Sequence, residues 1–66
     1  EIAQKFLQKA VILMPRDPIV NDHYADILWK LNKKIQATYF WKYVLSLEKT
    51  ELKMKKIIEK KIIFGV

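Results

Sequence analysis

Three residues near the middle of the chain are of types that could do chemistry. Asp22, His23 and Asp26 fall within one predicted helix, and the two carboxylates are one helical turn apart. A carboxylate pair at that spacing could hold a hard cation or act as an acid and a base. A metal site needs more ligands than this, and His23 lies about 100° around the helix from Asp22. Asp22 and Asp26 are therefore predicted to form an exposed acidic stripe, with His23 as a surface or interhelix residue.

Other kinds of reactive site find little support in the sequence. The chain has no cysteine, which excludes disulfides and thiolate metal sites. A single glycine, Gly65, excludes a glycine-rich phosphate loop. Ser46 has no base at helical spacing to activate it as a nucleophile. We therefore expect no enzyme activity, no bound metal and no cofactor.

The chain is short and basic, with 66 residues and a net charge of +6. This length allows one small domain at most. No apolar run approaches the ~18 residues of a membrane span. Arg16 is the only arginine, whereas arginine is the usual residue at sites that bind phosphate through two parallel hydrogen bonds. The lysines are therefore predicted to form a solvated face rather than a dedicated anion site.

Apolar residues recur at the spacing of amphipathic helices along the whole chain. No stretch alternates with the period of a strand, so we expect an all-α protein without a sheet. Four helices are predicted, at about residues 1–14, 18–31, 34–47 and 51–64.

Local signals mark the helix ends. Pro15 ends the first helix, and Asp17 is predicted to cap the second, with Pro18 at its first position. Asn32 is predicted to take the left-handed conformation that ends the second helix. Thr50 is predicted to cap the fourth helix.

The predicted core combines the apolar faces of three helices. Its members are Tyr24, Ala25, Ile27, Leu28 and Leu31 on the second helix, Ile35, Ala37, Phe40, Trp41, Val44, Leu45 and Leu47 on the third, and Met54, Ile57, Ile58 and Ile62 on the fourth, with Leu52 and Phe64 at its ends.

The chain matches itself when it is shifted by 34 residues. The offset places Ala3 on Ala37, Phe6 on Phe40, Leu7 on Trp41 and Leu13 on Leu47. Two short helices cannot bury their apolar faces alone, so units with such a period usually stack on their neighbours.

The sequence resembles the tetratricopeptide repeat family in this period and in its small and large apolar positions. The residues that carry the resemblance are Asn21-x2-Tyr24-Ala25-x2-Leu28, then Ala37-x3-Trp41 with Val44, and Ala3-x3-Leu7, Ala10 and Pro15 in the preceding half-repeat. Asn21, Asn32 and Lys49 replace the leading aromatic residue, the turn glycine and the closing proline of the family pattern.

The resemblance implies antiparallel helix hairpins stacked as a short right-handed α-solenoid of about four helices. Residues 1–17 would be the second helix of a preceding repeat, 18–51 one complete repeat and 52–66 a C-terminal capping helix. The run from Asp17 to Asp26 also resembles bacterial members that end in a lysine-rich helix, which implies the C-terminal fragment of a bacterial protein. A free-standing four-helix bundle is the alternative fold.

In the family, the first helix of each pair lines a concave peptide-binding groove. The corresponding positions here are Ile19, Asp22, Asp26, Trp29 and Lys30 on the second helix, and Lys53, Lys56 and Lys60 on the fourth. In one interpretation, Trp29 anchors a bound peptide while Lys56 and Lys60 bind its carboxylate.

A second interpretation keeps the same residues within the fold. Trp29 would cover the fourth helix and pair with Ile57 or Phe64, while the two aspartates would pair with Lys56 and Lys60. This interpretation is favoured because adjacent first helices touch one another in a solenoid.

The predicted function is a non-catalytic protein-interaction or scaffold module that binds another protein or a peptide segment. Self-association through the exposed first helix is a further prediction, because Ile2, Phe6 and Leu7 lack a covering helix. The alternative is a basic surface that binds RNA or an anionic membrane. Lys42 lies among aromatic residues and helix 51–64 is amphipathic, but neither nucleic acid nor membrane is the expected partner.

Overall fold

A computed structural model describes residues 2–66 of the chain and confirms the all-α prediction. Its four helices are α1 (Ile2–Leu13), α2 (Pro18–Lys30), α3 (Lys34–Ser46) and α4 (Leu52–Phe64). Within residues 2–66 there is no strand. Each helix packs against the next one in the sequence.

The first connection is built by polar side chains. Asp17 caps α2 as predicted, because its Oδ1 accepts a hydrogen bond from the Val20 amide at 3.0 Å. The buried side-chain amide of Asn21 donates to the carbonyls of Pro15 at 3.1 Å and Asp17 at 2.8 Å. Carbonyls of this turn thus find partners inside the fold, and the exit of α1 is held against the start of α2.

The second connection confirms the prediction for Asn32. Its φ of 63° is left-handed, the conformation that asparagine tolerates best after glycine. The Lys33 amide donates to the Leu28 carbonyl at 2.8 Å, and the Asn32 amide donates to the Trp29 carbonyl at 2.9 Å. These two bonds form a Schellman motif, which satisfies the last carbonyls of α2 and turns the chain directly into α3.

The prediction that Thr50 caps α4 is wrong. The Thr50 hydroxyl is buried and donates instead to the Val44 carbonyl in the last turn of α3, at 2.7 Å. Glu51 occupies the N-cap position without a side-chain hydrogen bond, and α4 begins at Leu52. Thr50 therefore closes the end of α3 rather than the start of α4.

The core lies where α2, α3 and α4 meet. Its buried apolar residues are Tyr24, Ala25, Leu28, Ala37, Trp41, Val44 and Ile58. Ala25 and Ala37 are completely buried, and their small side chains allow α2 and α3 to approach closely. No residue of Ile2–Leu13 is fully buried, and Ile2 and Phe6 are exposed. The core thus belongs to the last three helices, with α1 packed on its edge.

Four residues of the predicted core lie at the surface instead. Ile35, Leu52, Ile57 and Phe64 are exposed, Ile35 to 89%. Ile35 precedes Ala37 by two positions and therefore lies about 200° around the helix from the buried stripe. Ile57 lies about 100° from the buried Ile58. The apolar faces of α3 and α4 are thus wider than the parts that the fold covers.

Candidate functional site

The two aspartates of α2 form ion pairs with a lysine of α4. The Lys61 ammonium lies 2.9 Å from Oδ1 and 3.2 Å from Oδ2 of Asp22. It also lies 3.1 Å from each carboxylate oxygen of Asp26. The three side chains are only 14–23% exposed. The two aspartates are thus neutralised within the fold, which corrects the predicted exposure of the acidic stripe.

The lysine that pairs with the two aspartates is Lys61, so the prediction that Lys56 and Lys60 pair with them is wrong. Lys61 follows the fully buried Ile58 by three positions, so both residues face the interior side of α4. Lys56 and Lys60 lie on other sides of the helix and are exposed. The orientation that buries Ile58 therefore decides which lysine meets the aspartates.

The environment of Lys61 keeps it charged. Burial by itself lowers the pKa of Lys61, but hydrogen bonds and charge attraction from Asp22 and Asp26 outweigh it and raise the pKa above its ordinary value of 10.5. Asp22 also accepts a hydrogen bond of 3.2 Å from the indole Nε1–H of the fully buried Trp41. Asp22 therefore connects a core residue of α3 to a partly buried lysine on the inner side of α4.

Trp29 is half-buried against the core rather than projecting freely. Its ring centroid lies 5.5 Å from that of Trp41, and the Lys34 ammonium lies 5.0 Å above the Trp29 ring. On the side of α4 the ring meets the backbone of Gly65, whereas the predicted partners Ile57 and Phe64 are exposed.

Gly65 is required at this contact for two reasons. Its φ of 79° disfavours any residue with a Cβ, and a Cβ at this position would overlap the Trp29 ring. The C-terminal ends of α2 and α4 therefore meet at this ring, while Ile19 and Met54 line a common cavity of about 240 Å³ near their N-terminal ends. The two helices run in the same direction.

The remaining predicted groove residues lie at the surface. Ile19, Lys30, Lys53, Lys56 and Lys60 are all exposed. The three lysines of α4 occur at i, i+3 and i+7, which places them on one side of the helix; we call them the α4 lysine stripe. The structure thus divides the eight predicted positions into three that join the helices and five that face solvent.

Sequence reasoning missed the roles of three residues. The repeat pattern places Asn21 at the position of an aromatic residue, yet its side chain holds the α1–α2 turn. Thr50 and Lys61 bind partners 6 and 39 positions away in the sequence. The only available signal for Lys61 was its spacing of three from Ile58 on a face that also carries Ile62.

Metal-ligand clusters and membrane-spanning helices are both absent from residues 2–66. The part of the chain that the structure describes contains no cluster of three or more histidine, cysteine, aspartate or glutamate residues able to hold a metal ion. None of the four helices within residues 2–66 combines the length and the apolar character needed to cross a bilayer.

Comparisons with models of protein families, with curated proteins and with solved structures find no match. The resemblance to tetratricopeptide repeats therefore stays a prediction.

Proposed function

We propose that the protein is a non-catalytic interaction module whose hairpins stack as a short right-handed α-solenoid of the tetratricopeptide repeat type. In this proposal, residues 18–51 form one repeat between a preceding half-repeat and a capping helix. The complete burial of Ala25 and Ala37 supports it, because these are the small-residue positions of the repeat pattern. Trp41 is also completely buried, at the position of the large aromatic residue.

The α4 lysine stripe is the surface through which the module would bind an acidic segment of another protein. The observation that carries this assignment is the contrast with Lys61. Within residues 2–66, the ion pairs that form are those of Lys61 with Asp22 and Asp26. Lys56 and Lys60 are exposed and make no such pair there, so an incoming carboxylate would not have to displace an internal partner.

Titration of the isotope-labelled protein with an oligoglutamate peptide, followed by NMR, tests this proposal. Amide shifts should concentrate on α4 around Lys56 and Lys60. The variant Lys56→Glu/Lys60→Glu should weaken binding about tenfold or more, because two attractive charges become repulsive. The matched control is Lys5→Glu/Lys9→Glu, which makes the same change at the same spacing on exposed positions of α1. Equal weakening by both variants would show a general charge effect and contradict the assignment.

The alternative function, a basic surface for RNA or anionic membrane, gives a different result. Oligouridylate or phosphatidylserine vesicles would then bind more tightly than the peptide, with an affinity that falls steeply as salt is raised above about 100 mM. The proposed module predicts no such preference.

A further inference from the structure

A concave surface lies beside Trp29, and none of its lining residues belongs to the α4 lysine stripe. We call it the α3–α4 groove. It has a volume of about 540 Å³ and is lined by Trp29, Lys34, Ile35, Thr38, Tyr39, Lys42 and Ile62.

The α3–α4 groove combines several apolar side chains that the fold leaves accessible. Ile35 is 89% exposed and Tyr39 is 65% exposed, while Trp29 and Ile62 are partly buried against the core. Single exposed apolar residues are ordinary on protein surfaces, but apolar residues gathered in one concavity are typical of binding sites. The predicted burial of Ile35 is wrong within the chain, and a bound partner would explain the presence of an isoleucine there.

The charges around the α3–α4 groove have one sign. Lys34 and Lys42 line it, and no carboxylate does. Lys34 is positioned by its contact with the Trp29 ring, and Lys42 makes no ion pair within residues 2–66. Ile35, Tyr39 and Lys42 follow the i, i+4, i+7 spacing, so α3 presents one continuous apolar and basic face to the groove.

We propose that the α3–α4 groove binds an acidic amphipathic helix of another protein. Apolar side chains of that helix would cover Ile35, Tyr39 and Trp29, and carboxylates flanking them would meet Lys34 and Lys42. A helix fits an apolar floor because it satisfies its own backbone hydrogen bonds, and residues 2–66 offer no sheet edge that could pair with an extended chain.

Charge complementarity favours an acidic partner over a second copy of this chain. Each copy carries +6, and the exposed apolar face of α1, the obvious surface for self-association, is accompanied by Lys5 and Lys9. Bringing that face onto Lys34 and Lys42 would oppose like charges. The site shares no residue with the α4 lysine stripe, so it can be tested separately.

The test uses a synthetic peptide in which leucines follow the i, i+3, i+4, i+7 helical spacing and glutamates fill the other positions. A scrambled peptide of the same composition, which cannot form an apolar face, is the ligand control. We expect the amphipathic peptide to bind at least about tenfold more tightly than the scrambled one, because only it can bury the exposed apolar side chains. It should also gain helical circular dichroism on binding.

Matched variants locate the site. Ile35→Ser/Lys42→Glu should weaken binding of the amphipathic peptide about tenfold, whereas Ile12→Ser/Lys9→Glu, at exposed positions of α1, should leave it unchanged. Far-ultraviolet circular dichroism of the free proteins should be the same, since all four residues are exposed.

Four outcomes would overturn the proposal. Equal binding of the scrambled peptide would mean attraction by charge alone. Loss of binding in Lys56→Glu/Lys60→Glu but not in Ile35→Ser/Lys42→Glu would show that the peptide binds to the α4 lysine stripe. Loss of binding in the α1 control would show that it binds to α1. Dimers of the wild-type protein in sedimentation that Ile35→Ser dissociates would identify the occupant as a second copy.

Discussion

The inner and outer faces of α4 carry the same residue types and use them differently. Lys61, on the inner face beside Ile58, is 17% exposed and held by two carboxylates. Lys60, its neighbour in sequence, is exposed on the outer face together with Lys56. About 100° of helix rotation separates a lysine that joins two helices from one that is free to meet a partner.

This difference shows how to separate structural charges from functional ones. Six charged residues of α2 and α4 are candidates for one groove in the sequence, because helical spacing alone does not say which side of a helix is covered. The covered side is fixed by Trp41 and Ile58, both completely buried. Charged residues next to these side chains form ion pairs within the fold, and the others remain exposed and available for binding.

The largest expected effect comes from truncating Trp41, the largest completely buried side chain of the core. Trp41→Ala deletes a completely buried indole and its hydrogen bond to Asp22, so we expect a loss of about 3–5 kcal/mol of unfolding free energy. That loss is enough to unfold a small domain at room temperature. Tyr39→Ala removes a 65% exposed aromatic residue from the same helix and should cost less than about 1 kcal/mol. Urea denaturation followed by circular dichroism measures both, and similar losses would contradict the assignment of Trp41 to the core.

The comparison between adjacent lysines predicts the next largest effect. Lys61→Met would leave Asp22 and Asp26 partly buried, close to each other and without their cation, at a cost of about 2 kcal/mol. Lys60→Met changes only an exposed residue and should stay within about 0.5 kcal/mol of the wild type. Guanidinium would screen the ion pairs, so urea is the denaturant to use. A variant at position 60 as destabilised as the one at 61 would remove the distinction between the two faces.

A smaller effect is expected at the end of the inner face. Gly65→Ala forces a Cβ against the Trp29 ring at a left-handed φ, and we expect a loss of about 1–2 kcal/mol. Asn32→Gly is the control at the other left-handed position; glycine adopts this φ freely, so it should be tolerated within about 0.5 kcal/mol. Thermal denaturation compares the two. A Gly65→Ala variant as stable as the wild type would show that the Trp29 ring can move away without loss of stability. Trp29 would then be free to act as a mobile anchor.

The fold was predictable where its signals are local. Asp17 and Pro18 mark the start of α2, and Asn32 marks its end, because caps and turns depend on a few neighbouring residues. The prediction failed at Thr50, whose hydroxyl binds a carbonyl of α3 rather than an amide of the helix that follows it. That choice depends on how the chain folds back, which helical period and cap preference do not describe.

The site was only partly predictable for a related reason. The pairing of Asp22 and Asp26 with a lysine of α4 followed from opposite charges on helices expected to touch. Its partner could not be assigned because α4 carries lysines on several sides, and rotation of the helix by one residue exchanges Lys60 for Lys61. The α3–α4 groove does not follow from the sequence, because periodicity predicts Ile35 in the core, whereas the buried stripe of α3 is narrower than its apolar face.

The smallest expected effect tests the charge of Lys61 by changing the pH. The folded-state pKa of Lys61 is raised above its ordinary value of 10.5, so its contribution to stability is complete below that pH and is lost as the pH rises through the raised pKa. Tyrosines and other lysines titrate in the same range, so the quantity to measure is the difference in unfolding free energy between wild type and Lys61→Met. That difference should be constant from neutral pH to about pH 10 and should narrow above it. It should not vanish, because a neutral amine still donates hydrogen bonds to Asp22 and Asp26. A difference that stays constant through the alkaline range would mean that packing of the Lys61 stem, and not its charge, joins the inner face of α4 to α2.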